Sequence, residues 1–396
     1  MDESHDPPAR FEFAIDQLHE VVAAEIGSDD FGADDYRTGL GVLLASMDYD
    51  PHFSERGRRL AWGALIAALR ARGLAHKAMA EHPDYAAQPI GAPIVITGIP
   101  RSGTTALHRL MALDPRMQGL QTWLLDAPMP RPPRNEWEAR PAFQRTVASI
   151  AARSAAAPTR VAAHQSAAEG LEECCTILRH SFTSNIWNCS GWSSASYDAW
   201  WQTQSETAAY RYFARCVRLI GLADDRRWLL KNPGHIEHLH EVFAVFPDAR
   251  VIHTHRDPAK AIPSLCALLD KLHPVFEEGR HRQRKRLMGR REAEKWANAV
   301  RKAELVKTVH PGQAIDVVHG DFHRDPMAVL ERIYTFVGLD IDDALRAAFA
   351  ARIAAKPELA HGEHRYTLAE YGLEADELRA IFGDYTERLD MRENVA

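Results

Sequence analysis

Residues 94–113 read IVITGIPRSGTTALHRLMAL, and this stretch decides the class of fold. Its first four residues form an unbroken apolar and β-branched run, typical of a strand buried on both faces of a parallel sheet. Its last eight residues have the apolar spacing of an amphipathic helix. Glycines at positions 98 and 103 allow a sharp turn in between, and the amides at the start of a helix attract anions. The stretch therefore predicts a strand, a phosphate-binding loop and a helix, in that order.

The loop GIPRSGTT, residues 98–105, has the G-x-x-x-x-G spacing of nucleoside-triphosphate-binding loops. Those loops need a lysine directly after the second glycine, where this chain has Thr104, and its basic residue comes earlier, as Arg101. ATP and GTP enzymes use that lysine on the β- and γ-phosphates, together with Mg²⁺. The missing lysine therefore counts against a P-loop NTP-dependent kinase. A further alternative is that residues 98–105 form an ordinary glycine-containing turn that binds no phosphate.

A second candidate anion site lies in FPDARVIHTHRDPAKAIPSL, residues 246–265. The pattern predicts a buried strand that ends at Arg256 and a helix with Pro258 at its first position. Ser264 lies two helical turns after Arg256, so a guanidinium and a hydroxyl can converge on one phosphate at the carboxyl end of the strand, where open α/β sheets bind ligands. Two separate anion sites suit a nucleotide that is phosphorylated at both ends of its ribose.

Further segments complete an α/β pattern. WLLK (228–231) is expected to be a further buried strand and AIDVVHG (314–320) a last strand, whereas residues 1–85 have helical periodicity. We predict a three-layer P-loop-like α/β core with a parallel β-sheet, accompanied by N-terminal and central helical segments. The predicted domains are an N-terminal helical extension over 1–88 and an α/β domain over 89–396 with a helical insertion at about 135–225.

Composition limits the class of protein and its partners. The chain has 396 residues, 46% of them hydrophobic, and a net charge of -6, which favours a globular protein that does not bind nucleic acid. No secretory signal, transmembrane segment or CxxC pair is present in the sequence, which predicts a cytoplasmic protein with reduced cysteines. The oligomeric state is left open, and a homo-oligomer is compatible with the sequence.

By the order and spacing of these motifs over roughly residues 90–340, the chain resembles the PAPS-dependent sulfotransferase superfamily, and its bacterial branch more than the cytosolic aryl and steroid enzymes. The resemblance implies 3′-phosphoadenosine-5′-phosphosulfate (PAPS) as donor, PAP as product, a small hydroxylated acceptor and no metal. It assigns Arg256 and Ser264 to the 3′-phosphate, with Arg365 as a further contact or, alternatively, part of a surface turn. The implied 5′-phosphosulfate loop consists of Pro100, Arg101, Ser102, Gly103, Thr104 and Thr105.

Sulfuryl transfer to a hydroxyl needs a base for the acceptor proton and cationic groups for the transferring group. LLKNPGH (229–235) resembles the Lys-Thr-His segment of the cytosolic enzymes, which implies Lys231 as a sulfuryl contact and His235 as the base. HQSAAEGLEECC (164–175) resembles a bacterial His…Glu-Glu-Cys segment. This segment offers Glu173, expected on a helix, as a second candidate base with His164 as its partner. The alternatives are that His235 caps the next helix or contacts the nucleotide, and that Glu173 has a structural role.

The acceptor side is suggested by a cluster of aromatic residues between the two anion motifs. Most of these rings are expected in the core, with at least one lining a pocket for an apolar phenol, lipid or polyketide alcohol. The cluster consists of Trp187, Trp192, Tyr197, Trp200, Trp201, Tyr210 and Tyr212.

Three further features carry weaker hypotheses. The basic run GRHRQRKRLMGRR (279–291) is interpreted as a solvated loop, or as a segment that closes over the nucleotide. His235 and His238 are expected to share a helix face, but without evident third and fourth ligands they do not predict a metal site. A non-catalytic nucleotide-binding member of the family is the remaining alternative function.

Overall fold

The computed structural model describes residues 6–156, 167–187, 191–279, 281–355 and 367–391. The predicted site residues His164 and Arg365 lie outside these ranges. Packing divides the chain into two units. The α/β unit comprises Ile90–Gly119, Arg226–Asp270 and Arg280–Ala396, and the helical unit comprises Met1–Pro89, Leu120–Asp225 and Lys271–Gly279. The domain boundaries expected from the sequence, 1–88 and 89–396, stay a prediction.

Within the described residues, the α/β unit contains a five-stranded sheet with the order β2-β3-β1-β4-β5, and every neighbouring pair is parallel. The predicted α/β class with a parallel sheet is confirmed. The short β2 was not predicted, because two residues are too few to show an alternation. The strands are β1 (Ile94–Gly98), β2 (Met117–Gln118), β3 (Arg227–Lys231), β4 (Arg250–His255) and β5 (Ala314–Val318).

The helices that follow or precede these strands are named in chain order. Those that begin before residue 200 are α1 (Ile15–Ile26), α2 (Arg37–Tyr49), α3 (Glu55–Glu81), α4 (Thr104–Met111), α5 (Thr122–Asp126), α6 (Pro141–Ala156), α7 (Cys175–Leu178) and α8 (Ala195–Trp201). Those that begin after it are α9 (Thr207–Ile220), α10 (Leu239–Val245), α11 (Pro258–Leu272), α12 (His281–Val309), α13 (His319–Arg324), α14 (Pro326–Val337), α15 (Asp343–Ala354), α16 (Ala375–Ile381) and α17 (Tyr385–Arg388).

The central strand β1 is buried along its whole length, as its β-branched sequence predicts. Alternate residues point to opposite faces of a sheet, so Ile94 and Ile96 share one face. There they belong to a hydrophobic cluster with residues of the neighbouring strands and of α4 and α14. The helix that follows the phosphate loop is thereby packed against the sheet. Contributors to this cluster include Leu107, Leu110, Leu229, Ile252, Val317, Leu330 and Ile333.

The helical unit has its own core, built from α1, α2, α3 and the aromatic segment around α8. Ser54 caps α3, because its side-chain oxygen accepts a hydrogen bond from the amide of Gly57. The periodicity that predicted helices in residues 1–85 therefore corresponds to real helices. Among the described residues of the chain, no helix has both the length and the apolar composition needed to cross a membrane.

Two local expectations are wrong. The basic run forms the first turns of α12 rather than a loop, since its arginines, lysine, leucine and methionine are good helix formers and Met288 is buried at 1% exposure. Glu172 and Glu173 do not lie on a helix, because α7 begins only at Cys175. The segment before α7 is irregular, and Leu171 makes an isolated bridge to Gln121.

Candidate active site

The loop after β1 begins at a glycine where a side chain would clash. Gly98 has a φ of 146°, and a Cβ atom added there would lie 2.2 Å from the carbonyl oxygen of Thr254 on β4. A contact that short would force the two strands apart. Gly98 therefore allows the chain to leave β1 while β1 and β4 stay paired up to the edge of the sheet.

The loop ends where α4 begins. Gly103 precedes the helix with a φ of 94°, in the left-handed region that glycine tolerates. The first amide groups of α4, at Thr104 and Thr105, have no partner within the helix, and the helix dipole places positive potential at the same end. This geometry fits the predicted phosphate loop, since both effects attract an anion.

Arg101 connects the phosphate loop to the second predicted anion site. Its Nε donates to Ser264 Oγ at 3.1 Å, and its carbonyl oxygen accepts from Arg256 Nη1 at 3.0 Å. Arg101 also has a φ of 72°, a conformation that costs a non-glycine residue on the order of 1 kcal/mol or more. The structure thus brings three of the predicted donor-binding residues into direct contact.

Ser102 supports the loop from inside. It is 2% exposed, and its hydroxyl donates to the carbonyl oxygen of Ile99 at 2.6 Å. The same oxygen lies 2.6 Å from Thr254 Oγ1, whose own hydrogen goes to the carbonyl of Thr97 at 3.1 Å. The side chain of Ser102 therefore ties the loop to β1 and β4.

Lys231, the last residue of β3, lies beside the start of α4. The side chain is largely buried, and Nζ donates to Thr105 Oγ1 at 3.3 Å. Parallel strands end at the same edge of the sheet, which explains why the end of β3 meets the loop that follows β1. The ammonium of Lys231 thereby adds a positive charge at the loop, and its contact with a sulfuryl group stays a prediction.

His235 lies in a short 3₁₀ turn over Pro233–His238, directly after β3. Asn232 caps this turn by accepting the amide hydrogen of Gly234 at 3.1 Å, so the capping role considered for His235 belongs to Asn232. His235 is 1% exposed, and burial, with a contribution from the nearby His238, lowers its pKa to about 3. Its imidazole is consequently neutral at pH 7 and carries a lone pair.

Two histidines close to the loop were missed by the sequence analysis. His108 on α4 is buried, and burial together with the charge of Lys231 lowers its pKa to about 3. His319, directly after β5, lies with Cδ2 3.3 Å from the position of a Cβ on Gly103. Burial and then the charge of Arg256 lower the pKa of His319 to about 3 as well. His319 could have been found from the sequence, because it lies at the carboxyl end of the strand predicted at residues 314–320.

A buried ion pair holds the start of α11, which presents Ser264 to the loop. Asp257 is fully buried, and its Oδ1 accepts the amide hydrogen of Ala259 at 2.9 Å. Its Oδ2 accepts from Arg379 Nη2 at 2.7 Å. Asp257 therefore caps the start of α11, and Arg379 is a supporting residue that the sequence analysis did not identify.

The second candidate base, Glu173, belongs to the helical unit. It is partly buried, and its Oε2 lies 3.7 Å from the thiol of Cys175. A role for Glu173 in proton transfer stays a prediction, and its predicted partner His164 lies outside the described residues.

The aromatic segment is largely core. Trp187, Trp192, Tyr197 and Trp201 are buried in the hydrophobic cluster of the helical unit, and Trp200 packs against that cluster with partial exposure. The hydroxyl of Tyr197 donates to the carbonyl of Phe182 at 2.7 Å, which satisfies its polar end inside the core.

Within the described residues, one group of three potential metal ligands lies close together. It does not include His235 or His238, the two histidines considered in the sequence analysis. It consists of His253, His255 and Asp316, whose ligand atoms lie within 4.8 Å of one another. Lys307 Nζ lies 2.5 Å from Asp316 Oδ1, and His255 Nε2 lies 2.8 Å from the same oxygen. Burial would raise the pKa of Asp316, but these two partners outweigh it and lower the pKa. The carboxylate is thus neutralised by side chains, which fits a structural ion-pair cluster.

Comparison with known proteins identifies the family. Residues 93–343 match the model of the Sulfotransferase family. The structure is similar to sulfotransferase STF1 from Mycobacterium tuberculosis, with a TM-score of 0.84 and 33% identity over 94% of this chain and 99% of that one. It shares its fold with sulfotransferase STF9 from Mycobacterium avium, with a TM-score of 0.83 and 24% identity over 96% of this chain and 97% of that one.

A search of curated proteins gave no significant match. The family match covers more than half of the chain, including the loop, β3, β4 and β5. The similarity to the first of the two mycobacterial sulfotransferases extends over nearly all of both chains. The chain therefore belongs to the sulfotransferase family.

Proposed function

We propose that this sulfotransferase uses PAPS as its donor and transfers the sulfuryl group to a hydroxyl of a small, largely apolar acceptor, releasing PAP. The observation that carries the proposal is the contact of Arg101 with both Ser264 and Arg256, which joins a phosphate loop to a second cationic group at one edge of the sheet. A donor with phosphates at both ends of its ribose needs two such groups.

The 5′-phosphosulfate end is assigned to the loop at residues 98–105. Amides at the start of α4 and the ammonium of Lys231 supply donors and positive charge. A magnesium-dependent triphosphate site would need a lysine at position 104, and threonine stands there. In the proposed reaction, Lys231 stabilises the negative charge that develops on the bridging oxygen as PAP leaves.

The 3′-phosphate is assigned to Arg256 and Ser264. Ser264 Oγ accepts a hydrogen bond from Arg101, which leaves its own hydroxyl hydrogen for a phosphate oxygen. The guanidinium of Arg256 supplies the positive charge beside Ser264, and its Nη1 also donates to the carbonyl oxygen of Arg101. Arg365, from the C-terminal region, is proposed as an additional contact to the 3′-phosphate.

Transfer is proposed to occur in a single in-line step. The acceptor hydroxyl gives its proton to a base, its oxygen forms a bond to sulfur, and the bond between sulfur and the phosphate oxygen breaks to release PAP. His235 is the first candidate base, because it lies four residues after Lys231, just beyond the end of β3. Glu173, with His164, is the second.

The acceptor class rests on the aromatic segment over residues 187–212. Since most of its rings pack in the core of the helical unit, the partly exposed Trp200 is the ring that we assign to acceptor binding. A largely apolar phenol, lipid or polyketide alcohol fits such a contact.

Calorimetric titration with PAP, and separately with ATP plus Mg²⁺, tests the donor. We expect micromolar PAP binding without a response to ATP. Tight binding of magnesium ATP without a response to PAP would contradict the assignment. A non-catalytic member of the family would bind PAP but produce no sulfated product from PAPS and a panel of phenols and long-chain alcohols.

A further inference from the structure

The helical unit contains a small cavity with a strongly basic lining. It has a volume of about 120 Å³ and is lined by three arginines, Arg72, Arg211 and Arg215, together with Tyr212 and Asp35. Arg211, Tyr212 and Arg215 lie on one face of α9, because residues three and four positions apart are neighbours on a helix. Arg72 comes from α3. Arginine side chains from two helices, α3 and α9, thus place three positive charges in the lining of one small cavity.

Arg72 is a buried cation, and one of its three guanidinium nitrogens lacks a hydrogen-bond partner among the described residues. Its residue exposure is 1%. Nε donates to the carbonyl oxygen of Phe31 at 2.7 Å, and Nη2 donates to Asp35 Oδ1 at 2.9 Å and to the carbonyl oxygen of Ala33 at 3.0 Å. Nη1 is buried and has no hydrogen-bond partner in the described part of the chain. A buried donor without a partner is costly and is normally satisfied by water or an ion.

Aromatic rings hold this guanidinium in a fixed orientation. Its central carbon lies 4.3 Å from the centroid of the Tyr36 ring and 4.8 Å from that of Tyr212. Arginine stacks favourably on aromatic faces, so the orientation exists before any ligand binds. Little conformational entropy would then be lost on binding, which favours affinity.

The lining also carries excess positive charge. Asp35 is the one carboxylate among the lining residues, against three guanidinium groups. Arg211 is exposed and forms no salt bridge with any described residue, while Arg215 Nε donates to the neutral hydroxyl of Tyr85 at 2.9 Å. His76, stacked on Tyr212, responds to this charge, because burial together with Arg72 and Arg215 lowers its pKa to about 4.

We propose that this cavity binds a small divalent oxyanion, sulfate or phosphate, through Arg211 and Arg215, with the buried charge of Arg72 adding to the attraction. Its volume of about 120 Å³ exceeds the ~10–15 Å³ that one water needs and is well below the ~300–1,000 Å³ of sites for drug-sized ligands, which suits a small ion. Arginine presents planar pairs of donors that match the oxygens of such ions. The site lies wholly in the helical unit and does not depend on the proposed donor.

Titration of the full chain with sodium sulfate, and separately with sodium phosphate, at constant ionic strength against sodium chloride, tests this site. Because the phosphate loop can also take up oxyanions, stoichiometry is measured in the wild-type protein and in an Arg211→Gln, Arg215→Gln double variant. We expect the double variant to lose one equivalent of bound ion, or to bind it at least tenfold more weakly. The ion that binds more tightly to the wild type identifies the ligand.

The matched control is Arg59→Gln, which removes the same charge from the exposed part of α3, about 20 Å along the helix from Arg72. It should bind as the wild type does. If the double variant does not fold, the single Arg211→Gln variant replaces it, since Arg211 is exposed. Equal stoichiometry and affinity in wild-type and variant proteins would overturn the proposal. So would a crystal soaked in selenate that shows anomalous density at the phosphate loop but none within hydrogen-bonding distance of Arg211 or Arg215.

Discussion

Arg256 Nη1 donates a hydrogen bond to the main-chain carbonyl oxygen of Arg101 at 3.0 Å, across 155 positions of the chain. The residue assigned to the 3′-phosphate thereby holds the loop assigned to the 5′ end of the donor. Arg101 in turn donates to Ser264. Hydrogen bonds therefore join the two proposed anion sites. A substitution at one site is expected to weaken anion binding at the other to a smaller degree.

Arg256→Ala should weaken binding of PAP and PAPS by about 2–3 kcal/mol, because a charge-assisted hydrogen bond to phosphate is lost. Adenosine 5′-phosphosulfate lacks the 3′-phosphate and should lose less, with the remaining loss reflecting the freed Arg101 carbonyl. Calorimetry with both nucleotides measures the difference. Arg324→Ala, which removes an exposed arginine of the same unit, is the control. Equal losses for the two nucleotides would remove Arg256 from the 3′-phosphate site.

His235→Ala should abolish sulfuryl transfer while PAP affinity stays within about twofold of the wild type, since a base acts on the acceptor and not on the donor. His235→Gln serves as a second variant of similar size, because the alanine leaves a cavity at a buried position. The measurements are turnover with PAPS and calorimetric PAP affinity. Near-normal turnover in both variants would move the base to Glu173, and Glu173→Gln would then be the inactive variant.

Stability should fall in mild acid because of buried histidines such as His108. Its folded pKa of about 3 lies below the value near 6.5 of an unfolded histidine, so the unfolded chain binds more protons between these pH values. The free energy of unfolding then decreases as the pH falls from about 6.5 toward 3, by up to ~1.4 kcal/mol per pH unit for each such histidine, and this effect is absent above about pH 7. Urea unfolding of the parent and of His108→Gln between pH 4.5 and 7.5 measures it. An unchanged pH slope in the variant would show that His108 does not contribute.

Gly98→Ala should destabilise the α/β unit by about 3 kcal/mol, since the added methyl group meets backbone atoms of Thr254 that cannot move without separating β1 from β4. Gly320→Ala is the matched control in the same unit, because a Cβ there meets no atom within 4 Å and alanine favours the helix. Thermal unfolding compares them. A melting temperature of Gly98→Ala equal to that of the control would contradict the close approach of the two strands.

Local sequence patterns were sufficient for four of the five strands in the described residues, for the order strand, loop and helix at residues 94–113 and for the class of fold. β1, β3, β4 and β5 each contain a short apolar or β-branched run. β1, β3 and β4 are buried along nearly their whole length, whereas β5 at the edge of the sheet is only partly buried. Arg256 and Pro258 marked the end of β4 and the start of α11 for a similarly local reason. The Sulfotransferase family match, over residues 93–343, covers the same segments.

The sequence by itself determined where strand ends, glycines and cations follow one another along the chain, and so named candidate residues for the donor site. Only the tertiary structure decided which of them meet: Arg101 with Ser264, Lys231 with Thr105, and His319 beside Gly103. These contacts depend on the order β2-β3-β1-β4-β5, which long-range packing selects and no local pattern specifies. Burial, which keeps His235 and His108 neutral and leaves Arg72 with an unfilled donor, is likewise a property of the packed chain.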